Sequence, residues 1–387
     1  MSWPAVGYET LEWKPAGERI STRAARKAPQ SYEAAVVPRI ANLPVDLGAR
    51  SLVEEATVAA ARFDATVASR IVPFAPLLLR SEAVASSRIE QLTSSARKVF
   101  EAEVTGRGSG NAALIVANTR LMRAAATGGE TTADGIVDMH RVLMEGPAPE
   151  IAGVLRQGQV WIGGSDFHPG GALFVPPHHR HIEGLLGDLE EFMNRRDVPI
   201  LAQAAIAHAQ FESIHPFADG NGRTGRALVH VMLRERGLTT AAALPISAGL
   251  LVDLDAYFGA LDAYRNGDAE PIVDLFAKAA LDSVARGQWL AAELDSVRAE
   301  WDQMLSARSD ALAWQVLRVL VQMPMLTTSA VSAEFDVSAE TARNALERLE
   351  TGGIVVSAQL DKRQRAWRSP EVLALLDEFA VSGGRRG

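Results

Sequence analysis

The chain of 387 residues contains no cysteine, which excludes disulfides and thiolate metal sites. Aromatic residues make up only 6%, and alanine, leucine and valine dominate, so the expected fold is mainly α. No apolar run reaches the roughly eighteen residues of a membrane span, and no membrane partner is expected. Met1 to Thr10 lack a basic segment followed by an apolar stretch, so a signal peptide is not expected. The cytoplasm is the expected compartment. A net charge of −8 argues against broad, non-specific binding to nucleic acid. What is present is ample apolar material, 48% of residues, enough for two or three domains with their own cores.

Residues 1–50 are rich in Pro, Arg and Gly and read as an extended arm. A helical run follows from Val45 to near Pro73 and Pro76, and a second runs from Ser81 past Phe100. Further helices are predicted over 111–127, 132–143, 182–194 and 200–214, with a long one from Gly222. Gln159–Ile162 and Ala172–Val175 read as a hairpin around a Gly- and Pro-rich tip. Residues 253–290 are again helical, and 291–308 form a polar-faced connecting helix. Beyond 309 the order helix, short helix, turn, helix, strand, basic turn, strand, helix is that of a winged helix-turn-helix. The expected division is therefore 1–110, 111–290, 291–308 and 309–387.

Residues 215–226, His-Pro-Phe-Ala-Asp-Gly-Asn-Gly-Arg-Thr-Gly-Arg, concentrate the chemistry. His215 closes one helix, and Pro216 stops it. Asp219 is a hard oxygen ligand suited to Mg²⁺ carrying phosphates. Gly220 and Gly222 allow backbone N–H groups to approach an anion at the start of the next helix, with Asn221 steadying the loop or donating to a phosphate. Arg223 and Arg226 share one face of the first helical turn and suit two phosphoryl groups. The imidazole of His215 can accept a proton from an attacking hydroxyl. No Gly-Lys-Ser/Thr follows the glycines, so the segment is not a P-loop.

This string resembles the signature His-Pro-Phe-x-Asp-Gly-Asn-Gly-Arg-x-x-Arg of Fic-domain proteins at every specified position, and Gln210 to Ile214 are similar to the family's lead-in. The resemblance implies a Fic helical bundle with a β-hairpin flap, an N-terminal helical region and a C-terminal winged helix. It implies transfer of AMP from ATP to a Ser, Thr or Tyr hydroxyl of a target protein, self-modification included. His215 would be the general base and Asp219 the Mg²⁺ ligand. Gly220, Asn221, Gly222, Arg223 and Arg226 would hold the nucleotide. Gln210 and Tyr257 are further nucleotide candidates, with core packing as the plain alternative for Tyr257 and a polar helix position for Gln210. Val160, Trp161 and Ile162 fit a flap that docks an extended target segment through main-chain bonds.

Ser86 and Glu90 are four apart on a predicted helix and share a face. By the same resemblance they form an inhibitory Ser/Thr-x-x-x-Glu motif whose Glu pairs with Arg226. The family's following Gly or Asn is Gln91 here. The same Glu can position water for AMP removal, so a de-adenylylase using this site is the alternative reading.

His178, His179 and His181 cluster after Pro176-Pro177 without a Cys, Asp or Glu at ligand spacing, and are not read as a metal site. In the C-terminal module Arg343, Asn344 and Arg348 occupy the expected recognition helix, and Lys362, Arg363 and Arg365 a basic wing. Residues 309–387 nevertheless hold nine Lys/Arg against ten Asp/Glu, so DNA binding is not favoured. Protein contact or a homodimer is the expected role. A transcription regulator with a nucleotide-sensing core and an inert interaction scaffold are the alternatives from other classes.

Overall fold

The computed structural model describes residues 3–13, 29–45, 51–70, 74–165, 167–241, 243–308, 311–360 and 364–381. Contacts divide the chain into two compact units. The first is Met1–Glu54, Thr127–Arg236 and Asp255–Ala277, and the second is Glu55–Ala126, Gly237–Leu254 and Lys278–Gly387. Helices dominate both, as composition predicts.

In the first unit, β1 (Gly7–Glu12) and β2 (Ser31–Val36) pair antiparallel, with Gly7 opposite Val36 and Glu12 opposite Ser31. This part of the chain is no extended arm. Trp3, Ala34, Ala35 and Ile40 are buried, and the backbone is tied in by Val6 N–H to the Arg265 carbonyl at 2.8 Å and Ala35 N–H to the Val175 carbonyl at 2.9 Å. Four of the five arginines behind that reading lie in residues 14–28 and 46–50, outside the described residues, whereas Pro4, Pro29, Pro38 and Pro44 lie within them.

Helices α5 (Ala133–Met144), α6 (Ile182–Met193), α7 (Ile200–Ile214), α8 (Asn221–Glu235) and α10 (Leu254–Arg265) complete the first unit, with the start of α11 (Glu270–Met304). Every residue of α7 from Leu201 to Ile214 is buried. A helix buried on all sides belongs in the middle of a bundle, and its alanines let neighbours come close. At Gly225 a β-carbon would lie 2.7 Å from Phe211 Cδ1. Only glycine lets α8 run this close to α7.

The second unit holds α1 (Ser51–Arg70), α2 (Ala75–Ile89), α3 (Ala96–Thr105), α4 (Gly110–Gly128), the short α9 (Ile246–Leu250) and the rest of α11. Then come α12 (Leu312–Leu320), β3 (Met325–Thr327), α13 (Thr328–Phe335), α14 (Ala339–Thr351), β4 (Val356–Gln359), β5 (Arg365–Arg368) and α15 (Pro370–Val381). The sheet order is β3-β5-β4, antiparallel throughout. Helix α11 runs unbroken from 270 to 304, where the sequence suggested separate helices on either side of residue 290.

Two helix boundaries differ from expectation for identifiable reasons. Pro76 opens α2 rather than closing its predecessor, since proline at the first turn gives up no helical hydrogen bond. Pro73 itself lies outside the described residues. The helix expected from Ser81 through Phe100 is broken after Ile89. Gln91 stands at φ +61, a left-handed conformation that no α-helix contains. Its N–H donates to the Arg88 carbonyl at 2.9 Å, and Leu92 N–H donates to the Ser87 carbonyl at 3.0 Å. That pair of bonds is a Schellman termination, a motif in which this position is usually glycine or asparagine.

Candidate active site

The site begins where α7 ends. His215 takes φ +50, ψ +62, a left-handed conformation uncommon for a residue with a β-carbon. Its N–H still bonds the Phe211 carbonyl at 2.9 Å, and Pro216 prevents any further helical turn. The left-handed residue turns the chain sharply out of the helix. About one fifth of the His215 side chain is exposed, and Nδ1 is turned inward, 3.9 Å from Glu212 Oε2.

Burial, followed by the positive charges of Arg156 and Arg265, pushes the His215 pKa down to about 3. The imidazole is therefore neutral at neutral pH, the form able to accept a proton.

Arg156 holds this turn from beneath. It is 4% exposed. Its Nε donates to the His215 carbonyl at 2.8 Å, and its terminal nitrogens donate to the carbonyls of Gly158 at 3.1 Å and Pro177 at 2.5 Å. Its own backbone N–H reaches the Pro216 carbonyl at 3.0 Å. Burial lowers its pKa to about 10, so it remains charged at neutral pH. Sequence reasoning missed Arg156. The only signal was a lone charge directly after the apolar run Ile151–Leu155.

The loop from 216 to 220 is clamped from both sides. Phe217 is fully buried and stacks on His140, ring centroids 3.7 Å apart and nearly parallel. Gly153 N–H donates to His140 Nδ1 at 3.1 Å. The proton therefore sits on Nε2, which donates to the Asp219 carbonyl at 3.0 Å. Burial lowers the His140 pKa to about 4, which keeps this tautomer neutral. Asn221 accepts from Phe217 N–H and donates to the Phe217 carbonyl, both at 2.9 Å. Its amide thus serves to fix the loop. His140 was also absent from the sequence-based candidates.

Helix α8 starts on Gly220 at φ +77. A β-carbon there would meet Leu143 Cδ2 at 3.0 Å and Met144 Sδ at 3.3 Å, so both backbone and space demand glycine. Thr224 N–H makes a helical bond to the Gly220 carbonyl at 3.0 Å. The N–H groups of Asn221, Gly222 and Arg223 lie ahead of it, at the positive end of the helix, where anions are favoured. The Asp219 side chain is two-thirds exposed; Oδ1 accepts from Gly220 N–H at 2.7 Å and Oδ2 lies 3.6 Å from Arg223. Arg223 and Arg226 are 2% and 3% exposed. The charge of Arg226, after burial, helps hold His208 neutral with a pKa of about 3.

Other predicted residues fall elsewhere. Gln210 is fully buried, donating to the Pro38 carbonyl and accepting from Tyr264 Oη, both at 2.8 Å. Tyr257 is 1% exposed, with its hydroxyl 2.8 Å from His208 Nε2. Both side chains thus have partners within the protein. The hairpin is reduced to one bridge, Ile162 opposite Phe174, rather than two strands. Val160, Trp161 and Ile162 are half-buried; Trp161 donates to the Ser165 carbonyl at 2.6 Å and meets Trp13 edge-on. Arg265 lies over the Phe174 ring at 3.9 Å. Beside the bridge, the Val175 carbonyl accepts from Ala35 N–H of β2. His181 and Arg180 both engage Glu9, and the rings of His178 and His179 lie 4.1 Å apart.

In the second unit, Ser86 is fully buried on α2 and Glu90 occupies the C-cap of that helix. Arg343, Asn344 and Arg348 are exposed on α14. Arg365 is drawn to Glu350 at 3.2 Å. Lys362 and Arg363 lie outside the described residues.

Residues 130–233 match the Fic/DOC family. This segment is a Fic domain. The Fic domain carries the entire loop above together with His140, Arg156, α5 to α7 and all but the last two residues of α8. Protein adenylyltransferase fic-1 of Caenorhabditis elegans is 29% identical over 160 residues, 41% of this chain and 28% of that protein. Protein adenylyltransferase Fic of Nematostella vectensis is 30% identical over 150 residues, 38% of this chain and 32% of that protein. The chain thus spans under a third of the length of these curated relatives. The crystal structure of a Fic family protein from Desulfovibrio desulfuricans G20 superposes with a TM-score of 0.55 at 20% identity, covering 85% of this chain and 99% of that one. That likeness extends the similarity of fold well beyond the Fic domain.

Proposed function

We propose that this chain transfers AMP from ATP to a Ser, Thr or Tyr hydroxyl of a target protein, itself included. The observation that carries the reading is the junction of α7 and α8. A neutral, partly exposed imidazole sits at the end of one helix, five residues before an anion-attracting helix start. The names of the curated relatives, protein adenylyltransferase, support the same chemistry.

In this reading the triphosphate lies against the N–H groups at the start of α8, with Arg223 and Arg226 as counter-charges. The target oxygen bonds to the α-phosphorus, and its proton passes to His215. The bond from the α-phosphorus to the bridging oxygen breaks, and pyrophosphate leaves. Inward-facing Nδ1 leaves Nε2 as the accepting nitrogen. Arg156 acts through position: it fixes the left-handed turn that presents the ring.

Mg²⁺ fits the donor set. Magnesium is commonly held by one or two carboxylates plus substrate phosphates and water, and the exposed carboxylate of Asp219 is such a ligand. The ion would neutralise phosphate charge as it builds up during transfer.

The hairpin is proposed as the docking edge for the target. Leu173 at its rim is 86% exposed and Phe167 in its tip is 53% exposed, apolar groups that an extended segment would cover. Glu90 is proposed as a brake that pairs with Arg226 and denies it to the γ-phosphate. This rests on the Ser86–Glu90 motif and on the firm termination of α2 at Glu90. The C-terminal module, read as a winged helix, is proposed to serve protein contact or dimer formation. Pyrophosphate release with ATP and a protein acceptor tests the reading. Glu90→Gly should raise release above wild type, and His215→Ala in that background should remove it. No release from any variant would refute the assignment.

A further inference from the structure

We propose that the C-terminal helix α15 latches the Glu90 turn, so that the C-terminal module sets the strength of the brake. This rests on the reading of Glu90 as inhibitory.

The turn between α2 and α3 is tied to α15 on both flanks. On one side Arg88, two residues before Glu90, donates to the Ala380 carbonyl. On the other, Asp377 Oδ1 accepts from Ala96 N–H, the first residue of α3, at 2.7 Å. Ser95 accepts from Lys98 N–H in the same helical turn. Asp377 therefore acts as a second cap, supplied from a helix some 280 positions away in sequence. A carboxylate at a helix N-terminus also opposes the helix dipole favourably. Nearer the start of α2, Arg80 donates to the Gln322 carbonyl at 3.4 Å while bound to Glu103 at 3.0 Å. The C-terminal module thus grips α2 and α3 at several points along their length.

The turn itself is strained. Gln91 holds a left-handed backbone without being glycine, and such a conformation persists only where surrounding contacts determine it. The bonds from Arg88 and Ala96 to α15 are contacts of that kind. Loss of α15 from its seat would let Gln91 relax and the cap of α2 fray, moving Glu90. A partner bound to the C-terminal module would thereby reach the brake without touching the Fic domain.

The test uses the full chain and label from α-phosphate-labelled ATP, comparing wild type, Asp377→Ala, Glu90→Gly and the double variant. Hydrogen exchange over residues 88–98 is followed in parallel. Losing one hydrogen bond from the latch should raise transfer roughly two- to tenfold and speed exchange at Gln91 and Leu92. The double variant should match Glu90→Gly alone, because both changes act on one brake. If Glu90→Gly raises transfer while Asp377→Ala does not, the latch is wrong and the brake survives. If Glu90→Gly changes nothing, the brake falls and the latch with it. Equal stimulation by Asp377→Ala with and without Glu90 would also overturn the proposal. Should Asp377→Ala unfold the module, Asp377→Leu, which roughly keeps the volume and removes the acceptor for Ala96 N–H, is read by the same criteria.

Discussion

The Nε of Arg156 lies 2.8 Å from the backbone carbonyl of His215. The residue proposed to move the proton is thus held by a buried cation through its main chain, not through its ring. One guanidinium reaches the His215, Gly158 and Pro177 carbonyls together. A lysine, with a single ammonium, cannot span them. Arg156→Lys should therefore lower kcat for AMP transfer about tenfold or more, with a smaller change in KM for ATP, because it loosens the position of the base. Steady-state kinetics decide this. An unchanged kcat would remove Arg156 from the positioning role.

Gly225 is set by packing alone. A β-carbon 2.7 Å from Phe211 must push α8 away from α7. Gly225→Ala should destabilise the protein by about 1–3 kcal/mol, the usual cost of overpacking a core. Denaturant unfolding measures it. A gain in stability, as alanine gives in an ordinary helix, would show that the helices have room to separate.

Gln91 offers the opposite change. A left-handed backbone costs a residue with a β-carbon roughly 1–2 kcal/mol, and glycine escapes this cost but loses more entropy on folding. Gln91→Gly should stabilise the turn by a net ~0.5 kcal/mol, read as a small rise in Tm. A fall in Tm would mean that the Gln91 side chain matters more than its backbone.

The response to acid follows from three histidines whose pKa values burial lowers in the fold. His140, His208 and His215 have folded pKa values of about 4, 3 and 3, against roughly 6.5 in the unfolded chain. Between those limits the unfolded state binds more protons, so stability rises with pH. Stability should therefore be full above about pH 7 and decline progressively as pH falls below the ordinary histidine value of about 6.5. Urea midpoints at pH 7.5, 6 and 5 check this. His208→Gln, which cannot be protonated, should flatten part of the slope.

The fold class and the 215–226 loop were legible because each rests on local chemistry. Helical periodicity announces α6 and α8, an alanine-rich apolar run announces α7, and His215, Asp219, Gly220 and the arginines lie within twelve consecutive residues. Arg156 and His140 were not legible. Each acts on carbonyls dozens of residues away, and nothing in their own neighbourhood marks the partner. The β1–β2 pair was hidden for a similar reason: its strands are separated by residues 13–30, so no tight-turn signature joins them. The break after Ile89 had a signal that the helical reading passed over: Thr93-Ser94-Ser95 is a cap sequence, and Ser95 caps α3. Only the tertiary setting fixes Gln91 in the left-handed region.

The most direct measurement is parallel incubation with ATP labelled on the α- or the γ-phosphate, magnesium and the Glu90→Gly chain, followed by denaturing gel analysis. The expected result is protein-bound label from α-labelled ATP and none from γ-labelled ATP. His215→Ala should reduce the α-signal by a factor of about 100 or more, as loss of a general base does. Label carried over from the γ-phosphate, or α-label undiminished without His215, would contradict AMP transfer by this imidazole.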